Sequence, residues 1–314
     1  MVWLVGDAGA VKHVGWRAFE DHDPVEDSEW YRRELAATLR RAAIELRVQP
    51  QGLPQFGWRD RSVGVRVDDD GDPAWLRLVV ERADRDMGVF WDGNATASVA
   101  LSGMRLPRLL RSWEREEAGR RCRADLMTYI DQPVCSPTAA LTGQPELAEA
   151  WWMWLAGTLS RLAASSTRRV AVDLDDFAGR ITVWDPELPV TVDRWVPAHG
   201  DLHWGQLTGP DFWILDWEGW GLAPSGFDAA SLYLHSLAVP PIADLVRLRY
   251  AEQLDSRDGM LSQLYLAGRM LDRDDLPDRA AEAAVFAEAG RLLDALGASP
   301  QAYAHLRGPE ARRT

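Results

Sequence analysis

Two short runs, close together, constrain this chain more than anything else in it: His199 to Gln206, HGDLHWGQ, and Trp213 to Glu218, WILDWE. A strand-like stretch, Arg194 to Ala198, leads into the first. Between them Gly209 and Pro210 form a turn dipeptide that separates two short strand-like pieces, Gln206 to Thr208 and Phe212 to Leu215. Asp201, Gln206 and Asp216 then lie at the ends of strands around one tight turn, where their oxygens converge. Oxygen donors without thiolates suit a hard cation such as Mg²⁺, and Mg²⁺ is commonly bound together with phosphates. Whatever the fold, it has to bring a loop, a hairpin and a cleft together over residues 199–218.

The order HGDxH, then IxDWE after a hairpin, then a further aspartate in Gly226 to Ala230 (GFDAA), resembles the aminoglycoside phosphotransferase and choline kinase-like group, small-molecule relatives of protein kinases. The resemblance spans roughly residues 50 to 297. It implies that Asp201 faces the acceptor hydroxyl, that Asp216 binds Mg²⁺, and that Asp228 holds the catalytic loop from below. His199 is expected to orient that loop through hydrogen bonds. Where the family keeps a metal-binding Asn, this chain has Gln206, which moves the amide oxygen one methylene further out. Gly200 to His203 also fits the first box of binuclear metallophosphatases. That chemistry needs a second such box and an Asn-His pair, and the six histidines here include no Asn-His dipeptide.

A net charge of −13 argues against nucleic acid or anionic lipid as the main partner. It is compatible with a cationic small substrate. The two cysteines, Cys122 and Cys135, have no zinc or disulfide-framework spacing. No stretch approaches the ~20 apolar residues needed to cross a bilayer, and the first residues lack a basic region before their apolar run. The expectation is a reducing, cytoplasmic protein. Most of the sixteen tryptophans read as core or lobe-interface packing.

Along the chain, residues 1–26 are an extension without a clear place. A helix is expected from Asp27 to about Arg47, capped by Asp27 or Ser28, with Leu35, Leu39, Ala42, Ala43 and Leu46 on one face. Strand-like runs follow at 55–60, 62–68 and 74–80, the last two joined by an acidic Gly-Pro turn. The resemblance implies a small antiparallel sheet over ATP, with Gly57 to Ser62 as a candidate phosphate-covering turn. Those residues make a plain hairpin as readily as a nucleotide cradle. Arg77, a cation inside the apolar run Trp75 to Val80, needs a partner and stands where the family keeps a cation that reaches the ATP phosphates. The family's partner acid lies on the next helix, yet Asn94 to Gly103 contains no acid. Glu81 or Asp92 would have to substitute.

Residues 108–119 read as a polar helix or a hairpin. Arg123 to Ile130 reads as a strand that becomes the inter-lobe hinge, where the resemblance implies adenine contacts from the main chain of Met127 and Thr128. The larger lobe is expected to open with a nearly fully buried helix from Pro145 to about Ala164. A strand at 169–174 and a polar bend at Asp175 and Asp176 should follow, and helices after Asp228. The expected class is α+β, a protein kinase-like bilobal fold with a small antiparallel-sheet N-lobe and a larger, mainly helical C-lobe. Its divisions are an extension and helix (1–48), an ATP-covering lobe ending in the hinge (49–130), a helical lobe (131–304) and a tail (305–314). The implied chemistry is ATP- and Mg²⁺-dependent transfer of a phosphoryl group to a small-molecule hydroxyl. The alternative is a nucleotide- or ligand-binding module that has lost catalysis, for which Gln206 and the missing helix acid speak. Asp175, Asp176, Asp185 and Glu187 could receive an amine-bearing acceptor or form a solvated surface.

Overall fold

In the computed structural model, residues 28–298 are described apart from 86–87, 118 and 274–275. The extension at 1–26, Asp27 and the side chain of Ser28 with the expected cap, and the tail at 305–314 lie outside what the structure describes.

Helix α1 (Ser28–Glu45) is followed by an antiparallel sheet built from β1 (Gln49–Pro50), β2 (Gln55–Phe56), β3 (Ser62–Asp69), β4 (Asp72–Arg82), β5 (Leu109–Glu117) and β6 (Arg120–Thr128). The strand order is β1-β3-β4-β6-β5, with β2 also paired to β3. Strand side chains alternate between faces, and here the alternation divides the labour. Val63, Val65, Val67, Leu76, Leu78, Ala124 and Leu126 point to one face and bury against Leu35, Leu39, Ala42 and Ala43 of α1. Gly64, Arg77 and Asp125 lie side by side in register and belong to the other face. Of residues 108–119, Leu109–Glu117 form a strand, which pairs with β6 in antiparallel register. Helix α2 (Gly93–Ala100) sits between β4 and β5 in sequence.

The larger lobe contains α3 (Glu149–Ala163), α4 (Leu174–Ile181), the ribbon of β7 (Trp195–Ala198) with β8 (Gly221–Pro224), and then α5 (Phe227–Leu234), α6 (Pro240–Arg249), α7 (Ala251–Leu254), α8 (Arg257–Arg273) and α9 (Arg279–Ala295). The architecture is α+β and kinase-like: a sheet lobe, then a mainly helical lobe. Among the described residues, no helix is long and apolar enough to cross a membrane.

Two local expectations are corrected. Helix α3 is not nearly fully buried: Trp151 and Trp152 are in the core, while Met153 and Trp154 are exposed. At 100° per residue, four consecutive side chains cannot all face inward. Residues 169–174 are not a strand beyond a single bridge from Val170 to Leu222. Asp173 instead caps α4, its carboxylate accepting from the N–H groups of Asp175 and Asp176. The polar bend is therefore the first turn of a helix whose Phe177 and Ile181 are fully buried.

Candidate active site

A cavity of about 820 Å³ lies between the lobes. Asp201, Gln206, Asp216, Arg77, Ser62, Met127 and Thr128 all line it. His199 and Asp228 do not; they lie beneath it. Two of the expected elements bring the acids together. The loop after β7 carries Asp201, and Leu215 N–H donates to Gln206 C=O at 2.8 Å, beside the antiparallel bridge between Leu207 and Ile214. The expected strand pair is shorter than drawn, because Trp204–Gln206 is a 3₁₀ turn. Gln206 and Asp216 still end on adjacent chains.

Below the loop, Asp228 accepts from the backbone N–H of His199 at 2.7 Å and of Gly200 at 3.1 Å. Burial pushes the Asp228 carboxyl above its ordinary range, against the pull of His199 and these two bonds. Gly200 takes a left-handed φ of 82°, and a Cβ there would stand 2.8 Å from Gly219 O and 2.9 Å from Ala171 Cβ, so only glycine fits. His199 Nε2 donates to Leu215 C=O at 3.0 Å, and its ring meets Trp217 edge-on. The loop bearing Asp201 is thus tied to the strand that carries Asp216.

Asp216 is left-handed as well (φ 55°, ψ 65°). For a residue with a Cβ that conformation costs about 1–2 kcal/mol, and such outliers cluster at functional sites. The kink reverses the chain into the 3₁₀ turn Trp217–Gly219 and lets Asp216 and Glu218 both line the cavity. The buried oxygens Gln206 Oε1 and Asp216 Oδ1 have no hydrogen-bond partner. Two hard oxygens on one wall that accept no hydrogen bond suit a cation that takes one or two protein ligands and completes its shell with phosphate and water, as Mg²⁺ does. No group of three or more His, Cys, Asp or Glu that could hold a metal occurs among the described residues.

The missing helix acid is found elsewhere. Arg77 Nη2 bonds Glu218 Oε2 and stands 3.8 Å from Asp216 Oδ1. Neither expected substitute serves: Asp92 pairs with Arg169 at 2.6 Å and Glu81 lies 4.0 Å from Arg85. Burial alone would lower the Arg77 guanidinium; Glu218, Asp216 and Asp125 more than offset it and hold it above its ordinary value. Burial pushes the Glu218 carboxyl up to about 7 despite Arg77, with Asp216 adding repulsion. Helix α2, having no acid to offer, docks on the turn instead. Asn94 Oδ1 accepts from Trp217 N–H at 2.9 Å, and Trp220 Nε1 donates to Gly93 C=O at 3.1 Å.

The turn at 57–62 is closed by Gly57 N–H to Ser62 C=O at 2.8 Å. A Cβ at Gly57 would lie 2.4 Å from Ser62 Oγ, so glycine is what lets the hydroxyl tuck under the turn. Arg61 and Ser62 both line the cavity. At the hinge, Thr128 N–H donates to Arg108 C=O, and Thr128 Oγ1 accepts from Arg108 N–H, both at 2.9 Å. Tyr129 and Ile130, beyond the sheet pairing, also line the cavity. Sequence reasoning missed Trp75, which lies over Gly64 (a Cβ there would be 2.4 Å from the indole). It also missed Arg269 of α8, whose Nη2 stands 3.6 Å from Asp201 Oδ1. A lone arginine in an amphipathic helix carries no signal that it faces a cleft.

Among solved structures, a thermostable mutant of aminoglycoside phosphotransferase APH(4)-Ia in ternary complex with ADP and hygromycin B superposes with a TM-score of 0.57 at 11% identity. The match covers 82% of this chain and 98% of that one. A ternary complex of a mutant of the same protein with AMP-PNP and hygromycin B gives 0.54 at 12% identity, over 77% and 93% of the two chains. Its apo form gives 0.51 at 12%, over 80% and 93%. No family model and no curated protein matches the sequence. The chain therefore has the kinase-like fold of an aminoglycoside phosphotransferase.

Proposed function

We propose that this chain is an ATP- and Mg²⁺-dependent phosphotransferase that moves the γ-phosphoryl group onto a hydroxyl of a small molecule. The observation that carries the reading is the convergence of Asp201, Arg77 and the non-hydrogen-bonded oxygens of Gln206 and Asp216 on one inter-lobe cavity. Phosphoryl transfer asks a protein mainly for position and charge neutralisation, and this wall supplies both.

Asp201 orients the acceptor hydroxyl and takes its proton as the oxygen attacks the γ-phosphorus. The new P–O bond forms as the bond to the bridging β–γ oxygen breaks, and ADP leaves. Arg77 sets a fixed positive charge beside the phosphates, and Glu218 is the positioning residue that holds it there. Gln206 and Asp216 would hold Mg²⁺, which neutralises phosphate charge when bound. Asp228 keeps the backbone of His199 and Gly200 from moving away from the acceptor.

Asp201→Asn should lower turnover by at least about 100-fold while MgATP still binds. Asp216→Ala should weaken MgATP binding itself. Full turnover in Asp201→Asn would end the assignment. Gln206 in place of the family's Asn favours a second reading, a nucleotide-binding module without catalysis. Calorimetric ATP titrations with and without Mg²⁺ separate the two, since metal-independent ATP binding with no ADP release would favour the module.

A further inference from the structure

Taking the sheet that carries Arg77 as one end of the cavity, the far end is the helical-lobe wall around Asp201, where that one acid faces one buried cation, Arg269, at 3.6 Å. Of the acids that line the cavity among the described residues, Glu81, Asp216 and Glu218 belong to the phosphate end or the sheet, and only Asp201 reaches the far end. The far wall is made by Thr138, His203, His235, Leu266, Arg269 and Met270. Arg269 is the one charged side chain there besides Asp201, and its side chain is only 4% exposed. A guanidinium stays protonated at any ordinary pH. The His203 and His235 rings lie 5.7 Å apart. Burial drops the His203 pKa to about 4, so its ring is neutral.

Two of the acids expected to receive an amine are already engaged elsewhere. Asp176 accepts from the Tyr265 hydroxyl at 2.8 Å and stands 3.3 Å from Arg180. Asp185 is buried and accepts from Glu187 N–H at 2.9 Å. Asp175 lies in the first turn of α4. None of them lines the cavity. An ammonium group entering the far end would lose its water, meet a buried cation, and find among the described residues no carboxylate except the one the reaction uses. Burying a charge without a partner is strongly disfavoured.

We infer that the acceptor is a hydroxy compound without an ammonium group, a neutral polyol or a hydroxy acid, whose oxygens face Arg269 and the two imidazoles while its carbon skeleton rests on Leu266 and Met270. The inference rests on the phosphotransferase reading and narrows its substrate.

The test uses matched acceptors with the same hydroxyl scaffold: glycerol, glycerate and 2-amino-1,3-propanediol, then glucose, gluconate and glucosamine, with hygromycin B as a polycation. ADP release is followed for each, and binding to the protein saturated with Mg²⁺ and AMP-PNP is followed by thermal shift. In sets that turn over, kcat/KM for an amine-free member should exceed that of its amine partner by at least about tenfold, the scale of one like-charge contact in a cleft. Arg269→Gln should shrink that ratio; if this variant does not fold, the wild-type ratios decide alone. An amine preferred over its amine-free partner would overturn the inference and leave the phosphotransferase reading standing. So would a panel in which no amine-free compound is either phosphorylated or bound. Loss of the wider reading shows separately, as failure to bind MgATP in the absence of any acceptor.

Discussion

Replacing Glu218 by Gln separates what holds the protein together from what holds Arg77 in place. Two unit charges about 4 Å apart attract by about 4 kcal/mol at an effective dielectric near 20. Burial opposes this more strongly, because the Glu218 carboxyl rises from 4.5 to about 7 with Arg77 already in contact. The ionised form is therefore held in the fold at a net cost, on the order of a few kcal/mol, above neutral pH. Gln removes the charge and keeps one oxygen for the guanidinium. Arg77 is not stranded, since Asp216 lies 3.8 Å away and Asp125 is its cross-strand neighbour. Glu218→Gln should therefore leave stability unchanged or raise it by up to about 3 kcal/mol, a Tm rise of up to roughly 10 °C. Function should move the other way. A charge-assisted hydrogen bond contributes about 1.5–3 kcal/mol, so a loosened Arg77 should weaken MgATP binding by about tenfold or more. Thermal unfolding and MgATP calorimetry on the same preparation read both numbers. A variant destabilised by more than about 1 kcal/mol that binds MgATP like the parent would refute the reasoning.

Three further outcomes follow from the same geometry. The His203 pKa lies near 4 in the folded chain against an ordinary 6.5, so the unfolded chain binds more protons between those values. Its contribution is complete above pH 6.5 and is lost as pH falls toward 4, about 2 kcal/mol by pH 5; urea unfolding at pH 7 and 5 should show this loss, and His203→Asn should largely remove it. Gly93→Ala would ordinarily stabilise a helix, but its Cβ would fall 1.9 Å from Glu218 O. It should instead cost about 1–3 kcal/mol, and a stabilised variant in denaturant titration would mean that α2 does not dock on the turn. Asp228→Ala leaves the N–H groups of His199 and Gly200 without acceptors and should cost about 3 kcal/mol or more. A midpoint within about 2 °C of the parent would show that the loop does not depend on that carboxylate.

What could be read from the sequence, and what could not, divides along chain distance. Asp201, Gln206 and Asp216 lie within sixteen positions of one another around a turn that local residue types specify, so their convergence was legible from spacing. Strands β3 and β4 were legible from alternation, because each buries one face in the core it shares with α1. The partner of Arg77 was not, because it lies 141 residues away. It reaches Arg77 only because Asp216 adopts a left-handed conformation that nothing in its residue type demands. Asp176 shows a related limit. A carboxylate engaged within its own lobe and one that waits for an amine have the same local sequence, and only the fold shows that Asp176 already accepts from Tyr265 and faces Arg180. The absent acid of α2 marks a relocation of the ion pair. The turn 216–218 carries both the candidate metal ligand and the acid that fixes Arg77, and α2 contributes an amide and a close-packed glycine that hold this turn. The Arg77 guanidinium and the Asp216 carboxylate are thereby both set by one three-residue turn, so under the proposed function a substitution that shifts this turn should disturb metal and nucleotide binding together.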